Sequence, residues 1–271
     1  MGETMVPANG VDLCLETFGA GDHPAVLLIA GGARSMDWWE DGFCRRLADG
    51  GRFVIRYDHR DTGRSTSVPA GRPPYTQVDM AGDALGVLDA LGIARAHVVG
   101  LSLGGGLAQR LAVEDPPRLR TVTLMSSSPG PLAGAPAAPH PAPHPDFADR
   151  AATVDQLVAC VTAAGGPFTA DAAHLRQLAE RVLARTTDPA AWRNHWLAGC
   201  GPPVRDRLGT VDLPTLIMHG TVDPLFSMAH PAALAREIPS ARLVPLPGVG
   251  HEFPPRAVWG VVIEEILRHT A

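Results

Sequence analysis

Short apolar segments alternate with longer amphipathic segments along much of the chain. Residues 3–8 and 11–18 are β-type segments on either side of Asn9-Gly10, a pair typical of two-residue hairpin turns, so we expect two antiparallel strands first. The segment AVLLIA at 25–30 is apolar on both faces, as in a strand with helices packed on both sides. The pattern predicts a sheet that is buried on both faces.

The same alternation continues to about residue 128. Further strands are predicted at 52–58, 97–102 and 120–127, and the helical patterns between them include apolar positions at Val78, Ala81, Leu85, Leu88 and Leu91. Strands that alternate with helices in this order form a parallel sheet through right-handed crossovers. We therefore predict an α/β fold with a mostly parallel, doubly wound sheet of about eight strands.

The alternation breaks at a segment rich in proline. Seven of the seventeen residues from Pro129 to Pro145 are proline, which favours an extended connection, and three helical patterns follow it. Strand patterns return at 213–220 and 241–248, and a last helical pattern closes the chain. We predict a core domain formed by residues 1–128 and 212–271, with a Pro-rich connection and helical cap at 129–211, hereafter the insertion.

Composition excludes several classes of chemistry. All 23 basic residues are arginine, so catalysis through a lysine Schiff base, lysine-bound pyridoxal phosphate and a P-loop lysine are excluded. The net charge of −5 is dispersed along the chain, and we expect no nucleic-acid partner. There is no signal-peptide pattern and no apolar stretch of membrane-spanning length, so we expect a cytoplasmic protein without a membrane partner.

Cysteine and histidine spacing does not favour a metal site. The four cysteines have no CxxC spacing and are expected to be free thiols, mostly buried: Cys14, Cys44, Cys160 and Cys200. His140 and His144 in the Pro-rich segment have no cysteine or carboxylate close by. We expect neither a metal nor a cofactor.

Three polar residues follow three of the predicted strands. Ser102 stands between Gly100 and Gly104 at a strand-to-helix bend, Asp223 follows the strand at 213–220, and His251 follows the strand at 241–248. Ligands of doubly wound sheets bind at the carboxyl ends of the strands, so these residues should converge. A serine nucleophile needs a base, and the base needs an orienting acid. We predict a catalytic triad of Ser102, His251 and Asp223.

A triad also needs donors for the oxyanion that forms when the serine attacks a carbonyl. Two backbone amides are predicted for this role, that of Leu103 directly after the serine and that of Gly32 in the loop after the strand at 25–30. Gly31 and Ala33 are neighbours that could replace Gly32.

These motifs together resemble the α/β-hydrolase family over essentially the whole chain outside the insertion. The resemblance rests on GLSLG, HGTVD, GVGH, the AGG loop and VIRYDHRDTGRST at 54–66, and the last motif is similar to one in the aclacinomycin methylesterase subgroup. That subgroup removes a methyl ester from an anthracycline intermediate in actinomycete antibiotic biosynthesis. The resemblance implies a bacterial serine hydrolase that cleaves a carboxylic ester of a small secondary metabolite, for instance the methyl ester of a polyketide.

Other functions stay open. A lactonase or a carbon–carbon hydrolase would use the same triad, as would a cofactor-free perhydrolase or haloperoxidase, and a ligand-binding protein without catalysis is a further alternative. In the insertion, Trp192, His195 and Trp196 recur at helical spacing and either line a pocket or pack the cap on the core. The charged residues Asp58, Arg60, Asp61 and Arg64 are expected to form a structural network.

Overall fold

The computed structural model describes residues 2–132, 147 and 149–271. Its eight strands form one sheet in the order β1-β2-β4-β3-β5-β6-β7-β8. The strands are β1 (Thr4–Ala8), β2 (Val11–Phe18), β3 (Ala25–Ile29), β4 (Phe53–Tyr57), β5 (Ala96–Leu101), β6 (Leu119–Met125), β7 (Thr215–Gly220) and β8 (Ala241–Leu246). β1, β2 and β4 pair antiparallel, and every other pairing is parallel. The predicted hairpin and mostly parallel sheet are confirmed.

Helices cover both faces of the sheet. Outside the insertion they are α1 (Asp41–Asp49), α2 (Gln77–Ala90), α3 (Leu103–Glu114), α7 (Ala229–Glu237) and α8 (Trp259–His269). Side chains alternate across a strand, and in β3 Leu27 and Ile29 join the cluster of α2, α3 and α7, whereas Val26 and Leu28 join the cluster of α1 and α8. The two apolar clusters on opposite faces establish the doubly wound arrangement.

The described residues of the insertion contribute three α-helices above the carboxyl ends of the strands. They are α4 (Arg150–Ala164), α5 (Ala172–Arg185) and α6 (Asn194–Leu197). Trp38 of the core packs with Val154, Leu178 and Trp192 in a third apolar cluster. The helix predicted around Trp192 is wrong in part, because Pro189–Arg193 is a 3₁₀ turn and only one turn of α-helix follows. His140 and His144 lie outside the described residues.

Candidate active site

The bend after β5 places Ser102 at the start of α3. Its backbone has φ 54° and ψ −115°, a conformation that L-residues rarely adopt. A Cβ atom on Gly100 would overlap the backbone of Gly104, and one on Gly104 would overlap the carbonyl oxygens of β3 and the loop after it. Only glycine at both positions permits so close an approach, and the bend raises the serine hydroxyl above the sheet.

The predicted residues converge on this hydroxyl. His251 Nε2 lies 2.9 Å from Ser102 Oγ, and His251 Nδ1 lies 2.8 Å from Asp223 Oδ2. The carboxylate of Asp223 is fully buried and the imidazole of His251 is 10% exposed. A serine, an imidazole and a carboxylate are thus joined in one hydrogen-bonded chain, although 149 residues separate the first two in sequence.

Asp223 is held in its ionised form. Burial opposes ionisation, but the hydrogen bond and charge of His251 and the backbone amide of Phe226 outweigh it, so the pKa of Asp223 lies below its ordinary value. Its Oδ1 atom accepts hydrogen bonds from the amides of Leu225 and Phe226, each at 2.8 Å. Because Oδ1 is occupied by the backbone, Oδ2 is left to orient the imidazole.

Two backbone amides near the serine have no acceptor in the part of the chain that the structure describes. The Leu103 amide begins α3, where it has no partner within the helix, and the Gly32 amide lies in the loop after β3. Neither donates a hydrogen bond to any residue that the structure describes. Of the two alternatives to Gly32, Ala33 is occupied, because its amide donates to His195 Nδ1 at 2.9 Å.

His195 is a residue whose part in the site the sequence did not reveal. It is 1% exposed, and burial together with the nearby His59 lowers its pKa to about 3, so the ring is neutral. Since Nδ1 accepts from Ala33, the single ring proton is on Nε2 and is donated to the carbonyl of Arg60 at 2.8 Å. A neutral histidine of the insertion therefore holds the loop that carries Gly32.

The insertion also contacts the loop that carries His251. The amide of His251 donates to the carbonyl of Ala164 at the end of α4 at 2.6 Å. Next to it, Glu252 accepts hydrogen bonds from the Thr169 hydroxyl and the Gly166 amide. Burial, only partly offset by these bonds, raises the pKa of Glu252 above its ordinary value. Both loops next to Ser102 are thus fixed by residues from the insertion.

A cavity of about 550 Å³ opens above the serine, between the core and the insertion. Ser102, His251, Gly31 and Gly32 lie at its base, and α4 and α5 supply much of its wall. All five tryptophans of the chain line it, namely Trp38, Trp39, Trp192, Trp196 and Trp259. Trp192 and Trp196 therefore line a pocket, whereas His195 between them is buried against the core. An apolar, aromatic wall suits a flat or apolar ligand.

The predicted charged network lies beside this cavity rather than in it. Asp58 pairs with Arg185 at 2.8 Å, Asp61 accepts from Tyr75 at 2.5 Å, and Arg60 pairs with Asp83, while Arg64 pairs with Glu3 at 2.7 Å. None of the four residues of that network lines the cavity. Their interactions hold the loop after β4 against the rest of the protein.

The remaining predictions concern thiols, metals and membranes. All four cysteines are free, but only Cys14 and Cys44 are buried, Cys160 is partly exposed and Cys200 is exposed, so the expectation of mostly buried thiols was too strong. Within the described part of the chain, no group of three His, Cys, Asp or Glu side chains could hold a metal ion. In the same residues, no helix has the length and hydropathy needed to cross a bilayer.

Comparison with known proteins gives a consistent result. A family model described as alpha/beta hydrolase fold matches residues 24–157. The chain is 35% identical to rhodomycin D methylesterase DnrP from Streptomyces peucetius, with 98% of this chain and 97% of the relative covered. It is also 29% identical to a putative carbamate hydrolase, RutD, from Caulobacter sp. (strain K31), with 86% of both chains covered.

Solved structures of other hydrolases have the same fold as this chain. A hydrolase from Pseudomonas aeruginosa PA01 superposes with a TM-score of 0.73 and 28% identity, covering 97% of this chain and 98% of that one. The enol-lactonase from Burkholderia xenovorans LB400 has the same fold, with a TM-score of 0.77, 24% identity, and 98% and 99% of the two chains covered. The chain therefore belongs to the α/β-hydrolase family and is an enzyme of the carboxylic ester hydrolase type.

Proposed function

We propose that the chain hydrolyses a carboxylic ester through a covalent acyl-enzyme, with Ser102 as nucleophile, His251 as general base and acid, and Asp223 as the orienting carboxylate. The observation that carries the proposal is the hydrogen-bonded chain from Ser102 Oγ through His251 to Asp223, with distances of 2.9 and 2.8 Å. Each contact is short enough for the proton movements that such a mechanism requires.

The first half of the reaction acylates the serine. Ser102 Oγ bonds to the ester carbonyl carbon while its proton passes to His251 Nε2, and the carbonyl oxygen becomes an oxyanion. The amides of Leu103 and Gly32 are the proposed donors to it, since both are otherwise without an acceptor among the described residues. As the tetrahedral intermediate collapses, the carbon–oxygen bond breaks and His251 returns the proton to the leaving alcohol.

The second half releases the acid. A water molecule takes the place of the alcohol, gives a proton to His251 and bonds to the acyl carbon. As the second tetrahedral intermediate collapses, the bond between the acyl carbon and Ser102 Oγ breaks, His251 returns the proton to Oγ, and the carboxylic acid is released. Throughout, the ionised Asp223 stabilises the imidazolium and keeps Nε2 directed at the serine.

For the substrate we propose a methyl ester of a small, flat acid of the polyketide type. This follows the methylesterase relative at 35% identity and the motif at 54–66. Methanol is a small leaving group, so the acyl part would fill most of the cavity of about 550 Å³. The tryptophan-rich wall offers faces on which a planar ring system would stack.

The test is hydrolysis of short p-nitrophenyl esters and aromatic methyl esters by the wild type and by Ser102→Ala. Ser240→Ala, at an exposed serine, is the matched control. We expect loss of turnover only in Ser102→Ala, and a serine-reactive phosphonate should add one mass increment that peptide mapping assigns to Ser102. Activity that survives Ser102→Ala without labelling of Ser102 would refute the mechanism. Lactones, dienone acids and a peroxide assay in the same panel test the alternative activities.

A further inference from the structure

Arg34 is a charged residue in the wall of the cavity that the proposed reaction does not use. It follows the proposed oxyanion loop, two residues after Gly32, and its guanidinium lies 4.8 Å from the centre of the Trp38 ring. Thr153, Leu157 and Cys160 of α4 line the same cavity. The charge is therefore held at an aromatic and aliphatic wall of the enzyme.

Arg34 differs from four other arginines with little exposure in having no carboxylate partner among the residues that the structure describes. The buried Arg56, Arg60 and Arg110 and the partly buried Arg185 each form an ion pair with an aspartate or glutamate. Arg34 forms neither an ion pair nor a hydrogen bond from its guanidinium with any described residue, and its contact with the Trp38 ring uses none of its five N–H donors as a hydrogen bond to a carboxylate.

The carboxylates of the same cavity are engaged elsewhere. Glu40 pairs with Arg256 at 2.6 Å and lies 3.2 Å from His174. Glu252 accepts from the Thr169 hydroxyl and from the amides of Gly166 and Gly250. No acidic side chain in the described wall is thus available to neutralise Arg34.

An unneutralised charge in apolar surroundings is costly unless a partner arrives. Burial lowers the pKa of the Arg34 guanidinium below its ordinary value, against a smaller opposing effect of Cys160. An arginine nevertheless stays charged at neutral pH, so the cavity that contains Ser102 also contains a cation with no carboxylate partner among the described residues. A carboxylate is the partner that a guanidinium binds best, through two parallel hydrogen bonds.

We infer that Arg34 binds an anionic oxygen group, a carboxylate, on the acyl part of the substrate. The inference rests on the proposed function. The proposed leaving group is methanol, which is uncharged, so a negative charge on the substrate must belong to the acyl part. The enzyme then prefers half-esters of diacids to neutral esters of the same shape. Arg34 acts in recognition only, and the bonds made and broken at Ser102 stay those described above.

The experiment uses matched ester pairs on the full-length enzyme. The anionic members are the para and meta monomethyl benzenedicarboxylates, and the neutral members are the methyl isopropylbenzoates of the same geometry, in which an isopropyl group replaces the carboxylate. We expect the wild type to show the higher kcat/KM on an anionic member. In Arg34→Met that preference should fall by roughly 10- to 100-fold, the size of a lost charge-assisted hydrogen bond.

Two further variants separate recognition from structure. Arg34→Lys keeps the charge and should restore part of the preference, which is compared in each variant as the ratio of kcat/KM on the anionic ester to kcat/KM on the neutral ester. Arg236→Met is the matched control, since it removes the charge of an exposed arginine that does not line the cavity. Equal preference in the wild type and Arg34→Met would overturn the inference. A wild type that cleaves no ester at all would instead overturn the proposed function.

A binding measurement covers the case in which Arg34→Met does not fold. Benzoate and benzamide have nearly the same shape and differ in charge. The inhibition constants of the two compounds on the wild type therefore measure the effect of the negative charge on binding. We expect benzoate to inhibit the wild type more strongly, with an advantage that shrinks as salt is added. Equal inhibition by the two compounds would overturn the inference.

Discussion

Replacing His195 should slow the proposed reaction although this side chain does not line the cavity. Its ring makes two hydrogen bonds that hold loops of the core, one from the Ala33 amide at 2.9 Å and one to the Arg60 carbonyl at 2.8 Å. Gly31 and Gly32 precede Ala33, and two successive glycines have wide backbone freedom. The bond at Ala33 fixes the adjoining peptide and so limits the rotation of Gly32.

The expected loss of stability follows from the two backbone groups that the substitution leaves without a hydrogen-bond partner. His195→Phe keeps the ring volume but leaves one buried N–H and one buried C=O unpaired, at about 1 to 3 kcal/mol each. We therefore expect the free energy of unfolding to fall by about 2 to 6 kcal/mol. If the Gly32 amide then loses its direction, kcat should fall by roughly 100- to 1000-fold, as for other lost oxyanion donors.

Two amide substitutions separate the effects of these bonds. In His195→Asn, Oδ1 stands the same number of bonds from the backbone as Nδ1 and can still accept from the Ala33 amide. In His195→Gln, Nε2 corresponds to the ring Nε2 and can still donate to the Arg60 carbonyl. We expect His195→Asn to retain most of kcat and His195→Gln to lose it, in ester hydrolysis at saturating substrate. Denaturant unfolding of both variants provides the stability control. Equal turnover in the two variants would refute the role assigned to the Ala33 bond.

Three further predictions concern the triad, the bend and acid stability. Asp223→Asn should lower kcat by about 10⁴-fold in initial-rate assays, because the amide no longer selects the right imidazole tautomer, while the thermal unfolding profile stays close to wild type. Gly104→Ala should prevent folding, because its Cβ would overlap fixed carbonyl oxygens, whereas Gly106→Ala in the same helix has open space and should stabilise by about 1 kcal/mol, both read from denaturant unfolding. Burial lowers the pKa of His97 to about 4 and that of His195 to about 3 in the folded protein, so below the ordinary value of 6.5 the unfolded chain binds more protons. Their stabilising contribution is complete above that pH and is lost as the pH falls towards the folded values, by about 1.4 kcal/mol per pH unit for each histidine. The melting temperature should therefore fall on acidification, and less steeply in His97→Asn; an equally steep fall in that variant would contradict the assignment.

The sequence predicted those parts of the site that follow local rules. A strand followed by GLSLG and a helix predicts a bend at Ser102, and parallel strands bring their carboxyl ends to one edge, so Asp223 and His251 could be placed without knowledge of any contact. The strand pattern was equally informative, because β3 and β5 are buried on both faces and contain almost no polar residues.

The contacts made by the insertion could not be predicted in the same way. Ala33 and His195 are 162 residues apart, and no periodicity links them. The helical spacing around Trp192 suggested a regular helix, but Pro189 starts a 3₁₀ turn there, and the change of period directs His195 away from the tryptophan-lined wall. The sequence also does not reveal that Arg34 has no carboxylate partner among the described residues, because whether an arginine is paired depends on which distant carboxylates reach it.

The hydrogen bonds from His195 to Ala33 and from His251 to Ala164 limit how freely the insertion could be exchanged between relatives. A chimera that takes a foreign insertion to change its substrate would also replace the supports of both active-site loops. Such a graft should fold on the unchanged sheet and still turn over slowly, unless the donor segment brings an acceptor at the position of His195 and a helix end at the position of Ala164. In this enzyme, an exchange of the insertion would therefore change both the substrate preference and the turnover rate.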